Sequence, residues 1–102
     1  MDLEQVKHDI ENKKAILIDV REQNEWDKSH LSSAKLVPLS SLDEGEIPSD
    51  LPNDKILYLY CQRGGRAKIA SNILNEEGFN SIPLKDSFDE LKLVLSCHSQ
   101  IT

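Results

Sequence analysis

Two apolar runs stand out along the chain, Ala15-Ile-Leu-Ile-Asp-Val20, interrupted only by Asp19, and Ile56-Leu-Tyr-Leu-Tyr60. Runs of that length without alternation predict strands covered on both faces, and so central members of a parallel sheet. Around them the spacing changes to three- and four-residue steps. Leu3, Val6 and Ile10 predict a first helix over residues 2–12, and Ile69, Ala70, Ile73 and Leu74 predict a longer one that Gly78 ends. Residues 22–29 read as a short polar helix that drops Trp26 into the core, and His30 as a hydrogen-bonding turn residue. Ala34-Lys-Leu-Val37, stopped by Pro38, reads as a strand at or near an edge. So does Ser81-Ile-Pro-Leu84, because Pro83 cannot donate to a ladder. Ser40 or Ser41 is available to cap a short helix through Leu42. Ser87-x-x-Glu90 is a capping-box pattern opening a last helix, with Phe88, Leu91 and Leu95 on one face and a tail from Cys97 expected to fray. This alternation predicts one α/β domain over residues 1–102, a small doubly wound parallel sheet of four or five strands with helices on both faces.

Composition narrows the classes of function. The apolar runs are far too short to cross a membrane, and the amino terminus lacks a basic-then-apolar leader, so a cytoplasmic location is expected. A formal net charge of −6 argues against nucleic acid or an anionic membrane as partner. Cys61 and Cys97 are too few for a disulfide framework, and no Cys/His spacing suggests a metal site. No cofactor is implied, Cys97 reads as an inert late-helix cysteine, and a monomer is the default for so small a chain.

The chemistry concentrates in Cys61-Gln62-Arg63-Gly64-Gly65-Arg66, between the second apolar run and the long helix. A cysteine there sits at the carboxyl end of a central strand, where open α/β sheets place their ligands. The glycines let the backbone curl until its N–H groups converge, and the following helix points its positive end at the same place. Arg63, Arg66 and Lys68 add three cations with no acid among residues 61–68. A thiol so placed is expected to be largely thiolate near neutral pH, a nucleophile that binds or carries negative charge. A lone cysteine is more often a small buried hydrophobe, and a Gly-Gly turn is common. Strand end, glycines, cations and helix start together favour the nucleophile. Asp19 and Arg21 share one side of the first strand's end, and spacing alone fits a surface ion pair as well as a site role.

Read together, Ile18-Asp-Val-Arg-Glu22, Glu25-Trp26, Ser29-His-Leu31, Pro38-Leu39 and Cys61-x-x-Gly-x-Arg66 resemble a single-domain rhodanese over roughly residues 3–84. The resemblance implies sulfurtransfer through a Cys61 persulfide. The donor would be thiosulfate or another sulfane sulfur; the acceptor would be cyanide, a low-molecular-weight thiol or a protein thiol. It further implies that Gln62, Arg63, Gly64, Gly65, Arg66 and Arg21 bind substrate, with Asp19 supporting Arg21. Departures from the family pattern fall at Ser29-His30 for Gly-His, at Ser32-Ser-Ala34 for Pro-Gly-Ala, and at Lys85–Glu90, where relatives carry a glycine-rich stretch flanking the site. The short amino terminus is expected to remove or shorten the family's first edge strand. Rival readings are a cysteine phosphatase of related fold, whose loop is one residue longer between cysteine and arginine, an arsenate reductase, a sulfur carrier in a longer relay, and a non-catalytic rhodanese-like binding module.

Overall fold

A computed structural model describes residues 2–95 and the backbone of residues 97–99. In chain order the elements are α1 (Leu3–Glu11), β1 (Ala15–Asp19), α2 (Gln23–Lys28), β2 (Ser29–Leu31), β3 (Ala34–Leu36), α3 (Leu39–Asp43), β4 (Ile56–Tyr60), α4 (Gly65–Glu76), β5 (Asn80–Pro83), α5 (Phe88–Val94) and β6 (Cys97–Ser99). Four strands form a parallel sheet in the order β3-β1-β4-β5. The two apolar runs are thus the central pair, and the two short strands are the edges.

The period-two alternation of each central strand divides the core in two. Ile18, Leu57 and Leu59 face a cluster with Leu39 and Leu42 of α3 and Ala67, Ala70 and Leu74 of α4. Leu17, Tyr58 and Tyr60 face the other way, packing with Val6 of α1 and Phe88 and Leu91 of α5. Each fully buried aliphatic side chain of this kind contributes about 1.5–3 kcal/mol relative to exposure. A polar pin crosses the second layer: the Tyr58 hydroxyl donates to Asp9 at 2.7 Å, and Gln5 donates to the other carboxylate oxygen at 2.8 Å. On the α4–β5 side, Ser71 and Ser81 hydroxyls lie 2.7 Å apart, and the Ser81 N–H donates to Asn75 at 2.8 Å.

Several sequence-based expectations need correction. The stripe that α4 buries is Ala67, Ala70, Ser71 and Leu74, whereas Ile69 is 51% exposed. Trp26 is half-buried and belongs to neither core cluster; its indole stacks on the His30 ring, centroids 3.5 Å apart. Six helical residues flanked by polar positions give α2 no fully buried side chain. Pro38, with its fixed φ, is the residue before the first turn of α3, so Ser40 and Ser41 lie within that helix. The Ser40 hydroxyl instead donates to Glu22 at 2.6 Å. At the carboxyl end, the backbone of β6 pairs antiparallel with β2, so residues 97–99 are not frayed. Residues 100–102 and the side chain of Cys97 lie outside the described residues. The Ser87–Glu90 capping box is present, with both reciprocal bonds formed at 2.9 and 3.2 Å.

Candidate active site

β4 ends at Tyr60, and the chain reaches α4 through only Cys61–Gly64. Cys61 is 1% exposed and belongs to the α3/α4 core cluster, so its sulfur sits at the floor of the loop. The Gly64 N–H points at Cys61 Sγ from 2.9 Å. That aim requires the left-handed conformation of Gly64, at φ 103° and ψ −25°. Gly65 has no positive φ, and a Cβ there would meet open space, so only one of the two glycines is demanded by the bend. No side chain caps the start of α4. Its first-turn N–H groups have no acceptor within the helix, and the helix dipole adds positive potential at the sulfur.

Above the sulfur lies a cavity of about 340 Å³ lined by Glu25, Cys61, Gln62, Arg63, Gly65 and Arg66. Arg63 is exposed at its rim and makes no ion pair among the described residues. Arg66 is committed: Nη1 and Nη2 donate to the two carboxylate oxygens of Glu25 at 2.6 and 2.9 Å. The loop has no acid in sequence, yet the fold brings one to it from α2. Hydrogen bonding to Arg66, against the opposing effect of burial, holds the Glu25 carboxyl down at about 2. The same bond raises Arg66 above the usual arginine range. Stability from this pair is therefore complete above pH 4.5, the ordinary value for glutamate, and is lost as pH falls toward about 2. An acid titration of thermal stability should show wild type and Glu25→Gln converging over that window; a constant gap would remove the ion pair as its cause.

Arg21 and Asp19 lie beside the loop rather than in its cavity. Asp19 is 0% and Arg21 2% exposed. Arg21 Nε and Nη2 donate to Asp19 at 3.0 and 2.8 Å, and Nη2 also donates to the Ser29 carbonyl at 2.7 Å. Its Nη1 reaches the Gln62 side-chain oxygen at 3.4 Å, and its guanidinium carbon lies 4.2 Å from the Phe88 ring centroid. Tyr60 completes the group by donating to Asp19 at 2.8 Å and accepting the Leu31 N–H at 3.1 Å. Burial, followed by the charge of Asp19, pushes the Tyr60 phenol up, so it stays a neutral donor. The segment Lys85–Glu90 closes the loop from the far side. The Phe88 N–H donates to the Gln62 carbonyl at 3.0 Å, and a Cβ on Gly64 would come within 3.1 Å of the Lys85 carbonyl oxygen.

Of the residues singled out in sequence, Cys61, Gln62, Arg63, Gly65 and Arg66 share the cavity, Gly64 turns the backbone beneath it, and Arg21 with Asp19 braces its base. Glu25 was legible only as part of a motif, and its partner lies 41 residues on.

A family model described as Rhodanese-like domain matches residues 2–93. The chain is similar to MoeZ of Mycobacterium tuberculosis, which bears the name adenylyltransferase/sulfurtransferase with the qualifier "probable". Identity is 40% over 68 residues, covering 67% of this chain and 17% of MoeZ. It is also 40% identical over 70 residues to YqhL of Bacillus subtilis, covering 69% of this chain and 54% of YqhL. Thus the chain spans about a sixth and about half of these two relatives. Among solved structures, the Alr3790 protein from Anabaena superposes with a TM-score of 0.83 at 22% identity, covering 99% of this chain and 81% of that one, a likeness of fold.

Proposed function

The chain belongs to the rhodanese-like domain family, and from that premise we propose that it moves sulfane sulfur from a donor to a thiophilic acceptor through a persulfide on Cys61. One observation carries the reading: Cys61 Sγ lies at the floor of a cavity, facing the Gly64 N–H at 2.9 Å and the uncapped start of α4. MoeZ, which shares 68 aligned residues with this chain, bears a sulfurtransferase name as a whole, and that likeness supports the same chemistry.

Transfer proceeds in two covalent steps. The Cys61 thiolate attacks the outer sulfur of thiosulfate, the donor's S–S bond breaks, and sulfite leaves with the bonding pair. The terminal persulfide sulfur is then anionic. The Gly64 N–H aimed at the sulfur, with the first-turn N–H groups of the uncapped α4, forms a preorganised cradle for that charge. An acceptor, cyanide in the assay and a thiol in the cell, attacks the terminal sulfur and returns Cys61 to thiolate. Arg63 draws the anionic donor to the rim. Arg21, through Gln62, and the Lys85–Phe88 segment hold the loop in shape. Thiocyanate release from thiosulfate and cyanide should be measurable with wild type and fall to background with Cys61→Ser. Turnover retained by that variant would remove Cys61 as the nucleophile.

A further inference from the structure

Arg66 lines the cavity together with Arg63, yet both of its terminal guanidinium nitrogens donate to Glu25. The carboxylate belongs to the cavity lining itself, with its side chain 28% exposed. A second contact fixes it there, since the Glu22 N–H donates to Glu25 Oε1 at 3.0 Å. Held low by Arg66, the carboxyl stays ionised throughout the working pH range. Glu25 and Arg66 therefore nearly cancel, leaving Arg63 as the cation of the lining that has no ion pair among the described residues. Arg63 attracts a doubly charged donor more than a singly charged one, and the Glu25 carboxylate offsets part of that difference.

We infer that Glu25 tunes donor selectivity by charge, lowering the preference for dianionic thiosulfate relative to monoanionic sulfane donors in the loading of Cys61. The inference rests on the sulfur-transfer reading above. Repulsion from a fixed carboxylate scales with the charge on the donor, so a dianion loses twice what a monoanion loses. The loading chemistry is the same for both classes. With an alkanethiosulfonate, the Cys61 thiolate attacks the outer sulfur, the S–S bond breaks, and the sulfinate leaves with the electron pair, as sulfite does from thiosulfate. No other reactant is required.

Methanethiosulfonate and thiosulfate make the test, since they differ by one negative charge and little in size. Steady-state kinetics with cyanide as acceptor would be recorded for wild type and Glu25→Gln, which keeps an oxygen for Arg66 and for the Glu22 N–H. The expected result is a rise of about threefold to tenfold in kcat/KM for thiosulfate relative to methanethiosulfonate, carried by KM. Glu25→Asp, which keeps the charge, should preserve the wild-type ratio even if both donors slow. An unchanged ratio in Glu25→Gln, or equal losses on both donors, would overturn the inference and leave Glu25 as a brace for Arg66. A changed ratio in folded Glu25→Asp, which keeps the charge, would overturn it whether or not Glu25→Gln folds. Failure of the sulfur-transfer reading looks different, because neither donor would then place sulfur on Cys61.

Discussion

Arg21→Met should lower the unfolding free energy by about 3–5 kcal/mol. Asp19 is fully buried, and the substitution removes the guanidinium that supplies most of its hydrogen bonds. The Tyr60 hydroxyl and the Arg21 backbone N–H would remain its only donors among the bonds found here. The Ser29 carbonyl and the Gln62 side chain would lose a donor at the same time. A domain of this size has about 5–15 kcal/mol in total, so the urea midpoint should fall by a large fraction. The double variant Asp19→Leu/Arg21→Met should recover part of the loss, because it removes the stranded charge along with its partner. A loss below about 1 kcal/mol in the single variant would mean that water reaches Asp19 and that the pair is not a buried one.

The second large effect is expected at Gly64. Alanine at φ 103° is strained by about 1–3 kcal/mol, and its Cβ would press on the Lys85 carbonyl oxygen at 3.1 Å. That oxygen is not free to yield, because the same segment is tied to the loop through the Phe88 N–H and the Gln62 carbonyl. The backbone must therefore shift, and the Gly64 N–H turns away from Cys61 Sγ. The rate of sulfur loading from a sulfane donor should drop about 10²-fold, the usual cost of losing one aimed donor. Gly65→Ala is the internal comparison for the turn: open space and an ordinary φ predict an unfolding free energy within about 0.5 kcal/mol of wild type, against the strain expected at Gly64. Equal losses at both positions would show that the loop's shape does not depend on the Gly64 turn.

What could be read from sequence follows the physics of each element. The central strands were legible because burial on both faces leaves continuous apolar runs, and the edges because short strands beside Pro38 and Pro83 have few alternatives. The capping box at Ser87 was legible because its signal is local. Trp26 was misplaced because size alone suggested the core, while its best partner was the His30 ring four residues on. Ile69 was misassigned because a stripe through Ala67, Ala70, Ser71 and Leu74 is built from small residues that look less apolar than an isoleucine. The pairing of β2 with β6 is carried by backbone groups, which leave no side-chain pattern to read. Within the site, Cys61 and its loop announced themselves through local composition. The charge of the cavity did not, because Glu25 arrives from another element and offsets Arg66 in an apparently all-cationic loop.

The central claim is that Cys61 carries the transferred sulfur, and intact mass tests it most directly. Reduced wild type and Cys61→Ser would each be incubated with thiosulfate and, separately, with methanethiosulfonate, weighed, treated with cyanide and weighed again. Wild type should gain one sulfur atom and lose it to cyanide with release of thiocyanate, while Cys61→Ser gains none. Folded wild type that gains no sulfur from either donor would contradict the account and leave a rhodanese-like module that binds without transferring.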